Sequence, residues 1–176
     1  MKKVFLLVLL GLYISTVFAQ NQAKAVALDN NNEIRLNALY LILGAIEVDY
    51  EYVLNDESGL GVSVFLPIDE DIEIKYYVAP YYRFYFGKKP AAGFFAEGFM
   101  MLNNTEDDGD GLIVPNISEP QGPVTDLALG IGIGGKFLTN RGFLAEISLG
   151  VGRNLFTDDS PFEFIGKGGI KIGYRF

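Results

Sequence analysis

With 176 residues and neither cysteine nor histidine, the chain is sized for one domain without a disulfide framework, the commonest general base or a favoured metal ligand. Its 22 acidic and 14 basic residues give a formal charge of −8, which argues against a nucleic-acid partner, because phosphate binding needs a basic face. Glycine (21 residues) and aromatics (14%) are abundant, a pairing that suits strands and tight turns better than helices.

The N-terminus reads as an export signal. Lys2 and Lys3 precede the apolar run 4–14, and Val17 and Ala19 stand at −3 and −1 of a cleavage site after Ala19. An uncleaved membrane anchor is the alternative, but the run is short for a span, and no later apolar run approaches the roughly 20 residues of a membrane helix. Residues 20–32 are polar and aperiodic and read as a periplasmic tail.

Eight alternating segments follow. The first strand is expected over 33–41, with Ile34, Leu36, Ala38 and Tyr40 opposite Arg35 and Asn37; its pattern blurs at 39–43, and Gly44-Ala45 reads as a tight turn. The second, 46–54, sets Ile46, Val48, Tyr50 and Tyr52 against Glu47, Asp49 and Glu51. The third is 59–66. The fourth, 72–86, sets Glu73, Lys75, Tyr77, Tyr81, Arg83 and Tyr85 against an apolar face, and its Pro80, which lacks a backbone donor, predicts a bulge. The fifth, 93–102, carries Glu97 on the parity of Phe95 and Phe99. The sixth, 125–137, and seventh, 143–155, join through a hairpin turn at 139–142 and carry inward-parity glycines with Asp126, Lys136 and Glu146. The last is 162–176.

An even number of hairpin-joined strands predicts an all-β fold: an eight-stranded antiparallel up-and-down transmembrane β-barrel with a closed polar lumen. The segments divide into a signal peptide (1–19), the tail (20–32) and the barrel (33–176). Turns at 55–58, 87–91 and 139–142 fall on the side of both termini, and the acidic loops 67–71, 103–123 and 156–161 fall on the other, the outer-membrane arrangement. Alternation alone leaves the faces ambiguous: a soluble ligand-binding barrel turns its apolar face inward, an outer-membrane barrel outward. The outward reading is favoured because Tyr52, Tyr82, Phe84, Phe86, Phe94, Phe137, Phe143, Tyr174 and Phe176 gather at the termini-side ends, as an interfacial girdle requires. The polar parity carries both signs in similar number, with Glu73, Asp126, Glu146, Arg35, Lys75 and Lys136 on it besides Glu47, Asp49, Glu51, Arg83, Glu97, Lys171 and Arg175, and the last seven are expected to form a paired charge network in the lumen. A salt-bridge network is preferred over a proton or ion path.

The last strand alternates Ile170, Ile172, Tyr174 and Phe176 with Lys167, Gly169, Lys171, Gly173 and Arg175. It resembles the C-terminal strand of Gram-negative outer-membrane barrels, which implies that Ile170, Ile172, Tyr174 and Phe176 act as the signal read by the barrel assembly machinery. The stretch 81–99 (Tyr81-Tyr82-Arg83-Phe84-Tyr85-Phe86-Gly87-Lys88-Lys89-Pro90-Ala91-Ala92-Gly93-Phe94-Phe95-Ala96-Glu97-Gly98-Phe99) resembles a family of small outer-membrane barrels known as a domain of unknown function, and Glu33–Asn37 and Tyr50-Glu51-Tyr52 are similar to it too. The resemblance implies an OmpA/OmpX-type barrel with no established catalytic residues.

Candidate chemistry is sparse. A Ser-His-acid site of the kind that modifies lipid A or phospholipid cannot be assembled without histidine, and packing explains Ser63 and Ser148 better than nucleophilic chemistry does. Asp107, Asp108 and Asp110 offer hard oxygen ligands but lack the full spacing of a calcium loop, so a solvated acidic loop is weighed against a divalent ion bridging to lipopolysaccharide. Arg153 lies on the lipid parity, where it either reaches a lipopolysaccharide phosphate or is turned inward by a bulge. The expectation is a monomeric, non-enzymatic outer-membrane barrel without cofactor. Its partners are outer-membrane lipid and lipopolysaccharide, and its role lies in envelope integrity, adhesion or binding through acidic external loops. A lipid-modifying enzyme and a soluble periplasmic ligand-binding barrel are the alternatives.

Overall fold

The computed structural model describes residues 30–69, 71–87, 89–106, 123–156 and 163–176. These form β1 (Asn32–Asn37), α1 (Ala38–Ile42), β2 (Ala45–Asn55), β3 (Ser58–Pro67), β4 (Ile74–Phe86), β5 (Gly93–Thr105), β6 (Val124–Leu138), β7 (Phe143–Asn154) and β8 (Phe164–Arg175). Each strand pairs antiparallel with the next, and β8 returns to β1 with Ile172 opposite Leu36, so the sheet closes as an eight-stranded barrel. Closure leaves no free sheet edge along the paired strands.

The alternation read from the sequence becomes an inside and an outside. On β2, Glu47, Asp49 and Glu51 are at most 1% exposed, whereas Ile46, Tyr50 and Tyr52 are 40–44% exposed. The same inversion holds around the wall: Arg35, Arg83, Lys136, Glu146 and Lys171 are buried, while Ile131, Ile133, Ile147, Leu149 and Ile172 are exposed. The charged face therefore lines the lumen. All nine residues of the expected aromatic girdle are exposed on the outer face.

Two apolar clusters bracket the lumen charges. Phe65, Tyr77, Phe99 and Met101 pack towards the loop end, with Phe65 stacked on Tyr77 at 4.9 Å. Val53, Tyr85, Ala91 and Phe95 pack towards the end that holds both termini. Inner-face glycines of β6 make room for these rings: a Cβ on Gly130 or Gly134 would overlap the ring of Phe99 or Phe95.

Five expectations are corrected. The first strand stops at Asn37, and 38–42 is a helical turn, because the Asn37 side chain accepts the Tyr40 N–H and caps it. The consecutive apolar residues 41–43 could not all have shared one face of a strand; as a helix and its exit they spread, and Gly44 takes the left-handed φ of +87° that ends it. The chain thus leaves α1 through Leu43 and Gly44 and enters β2 at Ala45, with no tight hairpin. Pro80 causes no bulge: the register runs evenly through it, opposite Val62, and the shift in β4 falls between Ile74 and Tyr76. That shift places Glu73 outside the strand and leaves Lys75 half-buried, paired with Glu106 at 3.3 Å, so neither joins the lumen network. Finally, β5 continues to Thr105, because Asn103 and Thr105 are buried polar residues on the inner parity.

At the terminal end, the β4–β5 connection folds under the barrel. Ala91 is fully buried at the left-handed φ of 44°, held by its N–H to the Asp56 carbonyl (2.6 Å) and by Arg175, which donates to its carbonyl (2.9 Å).

Candidate functional site in the lumen

Strand pleat and barrel closure bring together charges that are remote in sequence. Glu51 of β2 is the hub. It accepts Arg35 Nη2 (2.8 Å), Arg83 Nη1 (3.2 Å), Lys136 Nζ (3.0 Å) and the Tyr81 hydroxyl (3.2 Å), and it also takes the Tyr85 hydroxyl. Glu146 of β7 joins the two guanidiniums, accepting both Nη atoms of Arg83 (2.8 and 3.0 Å) and lying 3.2 Å from Arg35. Such a fork meets a carboxylate with two parallel bonds, which fixes orientation as well as charge. The Arg83 guanidinium also lies between the rings of Tyr81 and Phe95, at 4.5 and 4.2 Å.

The network extends in both directions. Glu97 accepts Arg83 Nε (2.6 Å) and Lys167 Nζ (2.5 Å). Lys171 bridges Glu47 (2.5 Å) and Asp49 (2.6 Å), and Asn37 donates to Glu47 (2.9 Å) and to the Gly168 carbonyl (3.0 Å). Glu33 collects Lys136 (2.7 Å), Arg35 (3.1 Å) and Arg175 (2.7 Å), and Arg175 also donates to Pro90. Buried charges persist only when paired and hydrogen-bonded, and here each cation has its carboxylate. Beside Glu97 and Lys167 the remaining space is about 10 Å³, roughly one water. The arrangement is a cross-braced plug that ties all strands except β3 through side chains.

All seven expected lumen charges, Glu47, Asp49, Glu51, Arg83, Glu97, Lys171 and Arg175, lie in this network. Glu33 and Lys167 were not singled out, although their parity with Arg35 and Lys171 was a usable signal. Ile170, Ile172, Tyr174 and Phe176 lie on the outer wall; Tyr174 packs edge-on to Phe143 at 5.3 Å, and Phe176 exchanges backbone hydrogen bonds with Asn32. Arg153 stays on the outer face in even register with Phe164 and pairs with Glu163 at 3.1 Å, so no bulge turns it inward. Ser63 is buried opposite Asp49. Asp107, Asp108 and Asp110, like the segment around Ala19, lie outside the described residues, among which no three carboxylates converge on a metal position.

No family model and no curated protein matches the chain. Among solved structures it is similar to the N-terminal β-barrel domain of Pseudomonas aeruginosa OprF, with a TM-score of 0.58 and 19% identity, covering 84% of this chain and 98% of that one. The fold is that of the OprF barrel. Coverage of nearly the whole neighbouring domain makes the likeness one of complete architecture, reached with few shared residues.

Proposed function

We propose that this chain is a non-enzymatic integral outer-membrane barrel, with a structural or surface-interaction role exercised through the loops at the end away from the termini. The observation that carries the reading is the inverted amphipathicity. The wall exposes a band of Leu, Ile, Val and aromatic side chains, and the charges are enclosed. A soluble barrel with this outer surface would face water with an apolar area far beyond the few hundred Å² that soluble monomers expose. Strands β2 to β8 run 10 to 15 residues, enough for the 9–11 residues of a tilted transmembrane strand. Aromatics at the terminal end form the girdle on that side.

In this reading the signal segment is removed after Ala19, the assembly machinery engages Ile170, Ile172, Tyr174 and Phe176, and the barrel sits as an OmpA/OmpX-type monomer among outer-membrane lipid and lipopolysaccharide. The braced lumen favours a plug over a conducting pore.

The test is urea-washed membrane fractionation with a gel of unboiled and boiled samples in detergent. Retention in the outer membrane with a heat-dependent mobility shift is expected. Release into the soluble periplasm without a shift would overturn the membrane reading and make the barrel a soluble one.

A further inference from the structure

The buried charges do not balance. Among the buried described residues seven carboxylates face six cations, and the carboxylate outside the network is Asp126 of β6. It is 2% exposed and lies at the loop end of the lumen. Its Oδ1 is fixed by two backbone donors, Leu127 N–H (2.6 Å) and Phe156 N–H (3.1 Å), and its Oδ2 has no partner. Directly opposite on β5 stands Asn103, fully buried, whose amide nitrogen donates to Asn154 Oδ1 (3.0 Å) and whose Oδ1 is also unpartnered. Thr105, two residues along the same face and 1% exposed, has an unpartnered Oγ1. Opposed residues of neighbouring strands have Cβ atoms about 4.5–5.5 Å apart. Two of these three oxygens can only accept, and the Asn103 amide nitrogen is directed at Asn154, so in this arrangement Asn103 leaves Asp126 Oδ2 unsatisfied.

We infer that Asn103, Thr105 and Asp126 form a cation site of the calcium class at the loop-end mouth of the lumen. All three donors are hard oxygens, as that ion requires, and calcium accepts neutral carbonyl and hydroxyl oxygens in irregular geometry, with water completing the shell. A single carboxylate sets a weak site, with a dissociation constant on the order of 10⁻⁴–10⁻³ M. Bound there, the ion offsets the unpaired negative charge and joins β5 to β6 where the barrel opens.

The probe is calcium chloride alone, titrated from micromolar to 10 mM into chelator-treated full-length protein folded in detergent micelles, at constant ionic strength. The readout is the thermal midpoint of the mobility shift. For the parent chain a saturable rise of about 3 °C is expected. Asp126→Asn removes the charge, and its new amide can donate to Asn103 Oδ1, so its calcium-free midpoint should equal or exceed the parent's while the calcium response disappears. Thr105→Val, which removes one donor while keeping the shape, should move the titration midpoint several-fold higher and serves if the Asp126 variant does not fold. A flat parent titration would overturn the site, leaving reoriented Asn103 and Asn154 amides to satisfy Asp126. A response unchanged by both variants would place the ion elsewhere and overturn it equally.

Discussion

Lys171 shows what one residue contributes to this lumen. Its ammonium stands 2.5 and 2.6 Å from Glu47 and Asp49. Lys171→Met leaves Glu47 enclosed without its cation and Asp49 with only Arg35, 3.4 Å away, and removing one partner of a buried pair costs about 3–5 kcal/mol. The expected outcome is a lower urea midpoint for the mobility shift, partly recovered in the double variant Lys171→Met/Glu47→Gln, which restores the charge count. An unchanged midpoint for the single variant would mean that the ammonium is solvated. Parity sufficed to place Lys171, Glu47 and Asp49 on one face. It could not pair them, because Lys171 and Glu47 are 124 residues apart and Arg175 and Glu33 are 142 apart. Such contacts exist only once β8 closes on β1.

Among the elements, α1 departs most from expectation. Asn37 holds it in place with three contacts: its Oδ1 caps the helix, and its Nδ2 reaches Glu47 and the Gly168 carbonyl. Asn37→Ala removes all three and should cost about 1–2 kcal/mol, the upper range of a lost cap. Asn37→Asp keeps the capping oxygen but adds a negative charge beside Glu47, and should cost more than alanine in the same urea experiment. Equal stability of Asp and Asn would reduce the residue to a cap. The seven longer strands were legible because strict alternation over ten or more residues has one structural meaning. Over 38–43 the pattern supports neither period clearly, and the decision passed to a side-chain cap whose anchors, Glu47 and Gly168, lie on other strands. The end of β5 was missed for a related reason. Asn103 and Thr105 read as loop chemistry in one dimension and as lumen chemistry once β6 lies beside them.

For the whole molecule, the question is which medium meets the outer wall. Ile131 is near the middle of β6 and 73% exposed. Ile131→Arg should destabilise the barrel in a lipid bilayer by about 2–4 kcal/mol, as an arginine does at the midplane of such a wall. Facing water, the same substitution at an exposed site would stay within about 0.5 kcal/mol. Refolding into vesicles and measuring the urea midpoint separates the two, and a neutral result would contradict the membrane reading independently of fractionation. The likeness to the OprF barrel at 19% identity is one of fold: strand number, pleat and closure define the architecture, and many side-chain sets fill it.

The order of side chains along the chain was enough to establish strand number, the antiparallel hairpin order and the division into a charged and an apolar face. Each of these follows from a period of two, which is local. Closure added what no local pattern contains. It set which carboxylate meets which cation, turned 38–42 into a helix instead of more strand, moved the β4 bulge away from Pro80, and left Asp126, among the described residues, as the one buried carboxylate outside the network. Those outcomes depend on which strands become neighbours and how their registers stagger, and both are settled only when the sheet meets itself at β1 and β8.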